Sequence, residues 1–204
     1  MTNRIRRHRR GLTAVALAVV ATLALAGCAN DSFAEQYAAD AEQGYVAGDG
    51  SWEVFTPGER AQPVAYEGES ESGDTVTSAD YAGEVVVMNF WYAACPPCRV
   101  EAKDLEQVNQ DFADQGVNFL GVNVYDQAPT AESFNKEFGI TYPSILDVES
   151  ASVRLAFSDN VPPQAIPSTL VIDQNGSVAA VIRGVADPSV LTEMINTVLE
   201  EQAA

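Results

Sequence analysis

Val85-Val86-Val87-Met88-Asn89-Phe90-Trp91 leads through Tyr92-Ala93-Ala94 into Cys95-Pro96-Pro97-Cys98. An apolar run of this kind reads as a central strand covered on both faces. Beyond the tetrapeptide, Leu105, Val108 and Phe112 fall on one stripe, which predicts a helix. A Cys-x-x-Cys at a strand-to-helix junction is a dithiol that can open and close as a disulfide. The helix start offers unpaired N–H groups and a partial positive charge, and both favour thiolate over thiol. Prolines in the first turn cost little, because their missing N–H has no partner there anyway. The reading places a low-pKa, exposed cysteine at position 95.

Two plainer readings of the motif compete with this one. A zinc site needs about four ligands, and the other candidates, Cys28 and His8, both lie in the N-terminal segment. A purely structural disulfide would close a two-residue loop, which removes little chain entropy.

Working outward, residues 1–10 hold five arginines and no acid, followed by an apolar run from Leu12 to Ala26. That run falls short of the ~20 residues of a membrane-spanning helix and reads as an export signal. It closes Leu25-Ala26-Gly27-Cys28 before the polar Asn30-Asp31-Ser32, and so resembles the lipobox of bacterial lipoproteins. The resemblance implies a lipid on Cys28, cleavage just before it, and anchoring to the bacterial cell membrane. A plain secretory cleavage is the alternative, and paired arginines also raise a twin-arginine route. Either export path delivers the protein outside the cytoplasm, where disulfides persist. Lipidation of Cys28 would leave Cys95 and Cys98 as the remaining thiols.

The full chain of 204 residues carries a formal charge of −18. Cleavage removes five arginines and no acid, leaving 6 basic against 29 acidic residues, or −23. Such a surface repels phosphate backbones and anionic headgroups and argues against nucleic acid as a partner. The expected organisation is a signal over residues 1–27, a lipid-anchored acidic tether over 28–60, and one domain over 61–204. Trp52, Val54 and Phe55 could form a short docking segment near the tether's end.

Within the domain, Val64 to Tyr66 and Thr75 to Val76 read as short strands around a polar turn at Ser72-Gly73-Asp74. Val117 to Val124 is a second buried strand, and Ala131 to Phe138 a helix ending at Gly139. Ser144 to Leu146 is a strand and Ser150 to Phe157 a helix. Thr169 to Ile172 and Val178 to Ile182 form a hairpin around Asn175-Gly176. Asp187-Pro188 starts the last helix, with Asp as cap and Pro at its first position. The class is α/β.

These residues together resemble the thioredoxin superfamily, and its membrane-anchored TlpA/ResA-like branch in particular. The specific stretches are Asn89 to Glu101, Tyr142 to Asp147, and Ala165 to Gly176. The resemblance implies a thioredoxin-like fold: a central mixed sheet flanked by helices, with an N-terminal β-hairpin extension and an inserted helix–strand segment. It implies that Cys95 attacks a substrate disulfide and that Cys98 resolves the mixed disulfide. It implies a cis Ile166–Pro167 bond facing the cysteines, with Ile166, Pro167, Trp91 and Pro96 as substrate contacts, although Trp91 and Tyr92 read more readily as packing than as contact.

Glu101 shares the stripe with Leu105, Val108 and Phe112, so its carboxylate should be desolvated and its pKa raised. In the TlpA/ResA-like branch a glutamate at this position is associated with moving the proton of the second cysteine. The plainer reading is an acidic residue favoured by the helix dipole. Many thioredoxins carry a buried aspartate where this chain has Asn89. Ala94 departs from the family, in which an aromatic residue usually precedes the first cysteine.

The reading that follows is an extracytoplasmic lipoprotein thiol–disulfide oxidoreductase without a cofactor, kept reduced by a membrane electron donor. Its implied clients are apocytochromes c or other exported proteins with cysteines. Alternatives are an oxidant that installs disulfides, a copper-handling chaperone, a thiol peroxidase and a binding module whose disulfide never cycles. A copper site usually adds a histidine or methionine. The domain has no histidine, and its Met88 and Met194 lie in apolar patterns.

Overall fold

The computed structural model describes residues 50–203. The signal, Cys28 and most of the tether lie outside the described residues. The elements run β1 (Trp52–Val54), β2 (Glu67–Glu69), β3 (Thr75–Thr77), a 3-10 turn (Ser78–Tyr81), β4 (Val85–Trp91), α1 (Pro96–Phe112) and β5 (Val117–Asn123). They continue with α2 (Ala128–Phe138), β6 (Ser144–Leu146), α3 (Ser152–Ala156), β7 (Ser168–Ile172), β8 (Val178–Arg183) and α4 (Pro188–Ala203).

Six strands form one sheet in the order β1-β8-β7-β4-β5-β6. β4, β5 and β6 run parallel, and β7, β8 and β1 alternate antiparallel. The sheet is therefore mixed, with β4 near its centre and buried along its whole length. Successive side chains of a strand point to opposite faces. Val85 and Val87 join Leu105, Val108 and Phe112 of α1 and Leu191, Met194 and Ile195 of α4. Val86, Met88 and Phe90 join the opposite core, with Phe134 of α2 and Phe157. This parity sends Asn89 toward the α1 and α4 side.

Local signals set several boundaries as expected. Gly139 takes the left-handed conformation that ends α2 (φ 76°). The Asp187 carboxylate accepts from the N–H groups of Ser189 and Val190 at the start of α4.

Three expectations need correction. The first strand of the hairpin is Glu67–Glu69, not Val64 to Tyr66. The Ser70 N–H bonds the Asp74 carbonyl, and this turn pairs Glu67 with Thr77. Val64 instead donates to the Gly176 carbonyl. The helix expected from Ser150 begins at Ser152, because Ala151 turns left-handed (φ 54°) and the Asp147 carboxylate caps Val153 and Arg154.

The boundary at residue 60 also moves. Residues 52–54 pair with β8, and Arg60 is buried in ion pairs with Asp173 (3.0 Å) and Glu201. The segment assigned to the tether's end is thus built into the domain. Sheet pairing and a desolvated cation hold it there, neither of which shows in local composition.

Candidate active site

The C-terminal end of β4 hands the chain to the cysteines. Cys95 is the N-cap of α1, with extended backbone, and Pro96 and Pro97 occupy the first helical turn. Cys95 and Cys98 form a disulfide. The Cys98 N–H donates to Cys95 Sγ at 3.2 Å, so one orphan donor of the helix start points at the sulfur.

Exposure differs from the expectation at Cys95. Cys95 is 0% and Cys98 2% exposed, while Ala94 and Pro96 are exposed. Both cysteines belong to the buried cluster that holds Tyr92 and Ile166. The closed pair is thus shielded, with the exposed Ala94 and Pro96 on either side of Cys95.

The 93–96 loop is held at both polar groups of Ala93. Its N–H donates to Asp126 Oδ2 at 2.6 Å, and its carbonyl accepts from Arg99 Nη1 at 3.3 Å. Asn123 donates to the same Asp126 oxygen at 2.9 Å. Arg99 also pairs with Glu137 at 2.6 Å and lies over the Phe138 ring, 4.9 Å from its centre. These positioning contacts escaped the sequence reading. The polar pair Asn123 and Asp126 at the end of an apolar strand was the available signal.

One turn beyond Cys98, Glu101 is 0% exposed. Oε1 accepts from Asn89 Nδ2 at 2.9 Å and Oε2 from the Ala186 N–H at 2.7 Å. Asn89 donates as well to Thr169 Oγ1 at 3.1 Å. Burial pushes the Glu101 carboxyl up to about 8, with the two hydrogen bonds opposing that rise. Burial, and secondarily the Glu101 charge, pushes the Tyr142 phenol up. A cavity of about 10 Å³, room for roughly one water, lies beside Cys98 and is bordered by Asn89, Leu105 and Tyr142.

Ile166–Pro167 is cis. Both residues are buried, and Ile166 joins the same cluster as the cysteines. Pro96 stands exposed beside them. Trp91 turns inward: its ring lies 4.3 Å from that of Phe134, and Nε1 donates to Ser144 Oγ at 3.2 Å. Among the named substrate contacts Trp91 is thus an interior packing residue. Its position at a strand end left both roles open in the sequence. No group of three or more His, Cys, Asp or Glu residues that could hold a metal is found among the described residues.

The arrangement can exchange two electrons through a sulfur–sulfur bond next to a protonatable buried carboxyl. The Redoxin family matches residues 56–199. Thiol-disulfide oxidoreductase ResA of Geobacillus kaustophilus is 35% identical over 106 residues, covering 52% of this chain and 58% of that protein. The chain thus spans less than two thirds of that relative's length. A solved DsbF homologue from Corynebacterium diphtheriae is 34% identical, with a TM-score of 0.65 over 74% of this chain and 94% of its own. A secreted thiol-disulfide isomerase from Corynebacterium glutamicum is 27% identical, with a TM-score of 0.66 over 76% and 96%.

Proposed function

We propose, from the premise that this chain belongs to the Redoxin family in the thioredoxin superfamily, that it is an extracytoplasmic thiol–disulfide oxidoreductase that reduces disulfides in exported proteins. The observation that carries this reading is the Cys95–Cys98 disulfide capping a helix, with the buried Glu101 one turn behind it.

In the reducing direction the Cys95 thiolate attacks a client disulfide. A Cys95–client disulfide forms and one client thiolate leaves. Glu101, as carboxylate, takes the Cys98 proton; the Cys98 thiolate attacks the Cys95 sulfur and releases the second client thiolate. Two electrons pass to the client, and the Cys95–Cys98 bond re-forms. A membrane dithiol donor must then reduce it, and Glu101 returns the proton. Ile166 and Pro167 would bind the client backbone beside the exposed Pro96.

Anchoring by a lipid on Cys28 belongs to the same reading. The described chain begins at Gly50, whose N–H bonds the Arg183 carbonyl, while Arg183 pairs with Ser168 and Ser168 with Phe90. Gly50 thus lies level with the cysteine end of the sheet.

Reduction of a peptide disulfide by the reduced protein tests the activity, and Cys95→Ser should abolish it. Equilibration with glutathione gives the direction. A potential near ~−120 mV would make the protein an oxidant rather than a reductant. Radiolabelled palmitate should enter the wild type and not Cys28→Ala.

A further inference from the structure

Arg154 is a cation without a counter-ion among the described residues of a strongly acidic chain. Residues beyond 27 hold 6 basic and 29 acidic side chains. Arg60, Arg99 and Arg183 each pair with a carboxylate. The Arg154 guanidinium has no hydrogen bond or ion pair among the described residues, although it is half-buried. Asp147 engages only its backbone N–H, at 2.9 Å. Lys103 and Lys136, by contrast, stand exposed on α1 and α2.

The surroundings of Arg154 are built. It borders a shallow pocket with Phe90, Val161, Pro162, Pro163 and Ile166, next to the cis Pro167. Arg183 Nη2 fixes one wall by donating to the Asn160 carbonyl at 3.2 Å. The Ala165 N–H bonds the Pro162 carbonyl at 2.8 Å, and Ser168 Oγ donates to the Ala165 carbonyl at 2.8 Å. Val153 and Phe157, both buried, seat α3 itself.

We propose that Arg154 is a specificity-determining residue that pairs with an acidic side chain of a client polypeptide lying along Ile166 and Pro167. This rests on the exchange activity proposed above. A guanidinium presents a planar fork that a carboxylate fits with two parallel hydrogen bonds, and the other residues bordering the crevice with Arg154 are apolar. The negative charge of the rest of the surface does not forbid this. Charges beyond ~8 Å are largely screened at physiological salt, whereas a contact pair is not. The client so selected carries one carboxylate near its disulfide and needs no net acidity.

The test uses the reduced full-length chain and disulfide-bonded peptides, amidated at the C-terminus, that differ by a Glu, Gln or Lys beside one cysteine. Wild type is expected to reduce the Glu peptide about tenfold faster than the Gln peptide by kcat/KM, mostly through KM, and added salt should shrink that ratio. Arg154→Gln should bring the ratio to one without moving the pH profile of Cys95 alkylation. Arg154→Glu should transfer the preference to the Lys peptide. Equal rates of wild type on the Glu and Gln peptides overturn the proposal alone. So does a preference that survives in Arg154→Gln, or a shifted alkylation profile, which would assign Arg154 to the acidity of Cys95. Failure of wild type on every peptide overturns both the proposal and the activity beneath it.

Discussion

Glu101 is a fully buried carboxyl that takes two N–H groups and no ion pair among the described residues. Its pKa lies near 8 in the fold, against an ordinary value of 4.5 in the unfolded chain. The folded state therefore holds a proton that the unfolded state has already lost, and the stabilising contribution is complete below pH 4.5. It falls as pH rises from there through about 8, then levels off. Denaturant titrations across this range should show wild type losing stability relative to Glu101→Gln, on the order of a few kcal/mol. The same substitution should remove an inflection near pH 8 from the rate of mixed-disulfide resolution, measured by stopped flow. An unchanged profile would take the proton-transfer role away from Glu101. Cys98→Ser should trap the Cys95–client disulfide, seen as a mass adduct that dithiothreitol releases.

Two elements carry tight contacts that support the site. Gly121 of β5 lies where an added Cβ would come 2.1 Å from Ser144 Oγ and 2.8 Å from Trp91 Nε1. Gly121→Ala would push β6 off its partner and break the Trp91–Ser144 hydrogen bond. The expected loss is about 2 kcal/mol or more in urea unfolding, with a shift in tryptophan emission. At the other edge, Arg60 ties the segment after β1 to the Asp173 turn and to α4. Arg60→Ala leaves a buried Asp173 carboxylate short of its cation, although Asp173 keeps the N–H groups of Asn175 and Ser177. Destabilisation of about 3 kcal/mol is expected in the same assay.

At the scale of the whole molecule, β1 is a short strand that covers the edge of a sheet whose next strand is almost entirely buried. Truncation to residue 50 keeps this cover, and truncation to residue 56 removes it. The shorter protein exposes a row of unpaired β8 backbone groups and should aggregate or dimerise in light scattering, while the longer one stays monomeric. Much of this architecture was legible in the chain. The β4 run, the helix start at Cys95-Pro96-Pro97, the Gly139 stop, the Asn175-Gly176 turn and the Asp187-Pro188 start depend on sterics and caps between near neighbours. Even the burial of Glu101 showed, because an i, i+4, i+7, i+11 stripe is a local periodicity. Other features became visible only in three dimensions. Glu101 meets Asn89 across 12 positions of sequence and Ala186 across 85. Trp52 pairs with Ile182, Arg60 with Asp173, and Cys95 is buried rather than exposed. Such contacts form when the sheet closes and burial is summed over the whole fold, so no short stretch of sequence holds them.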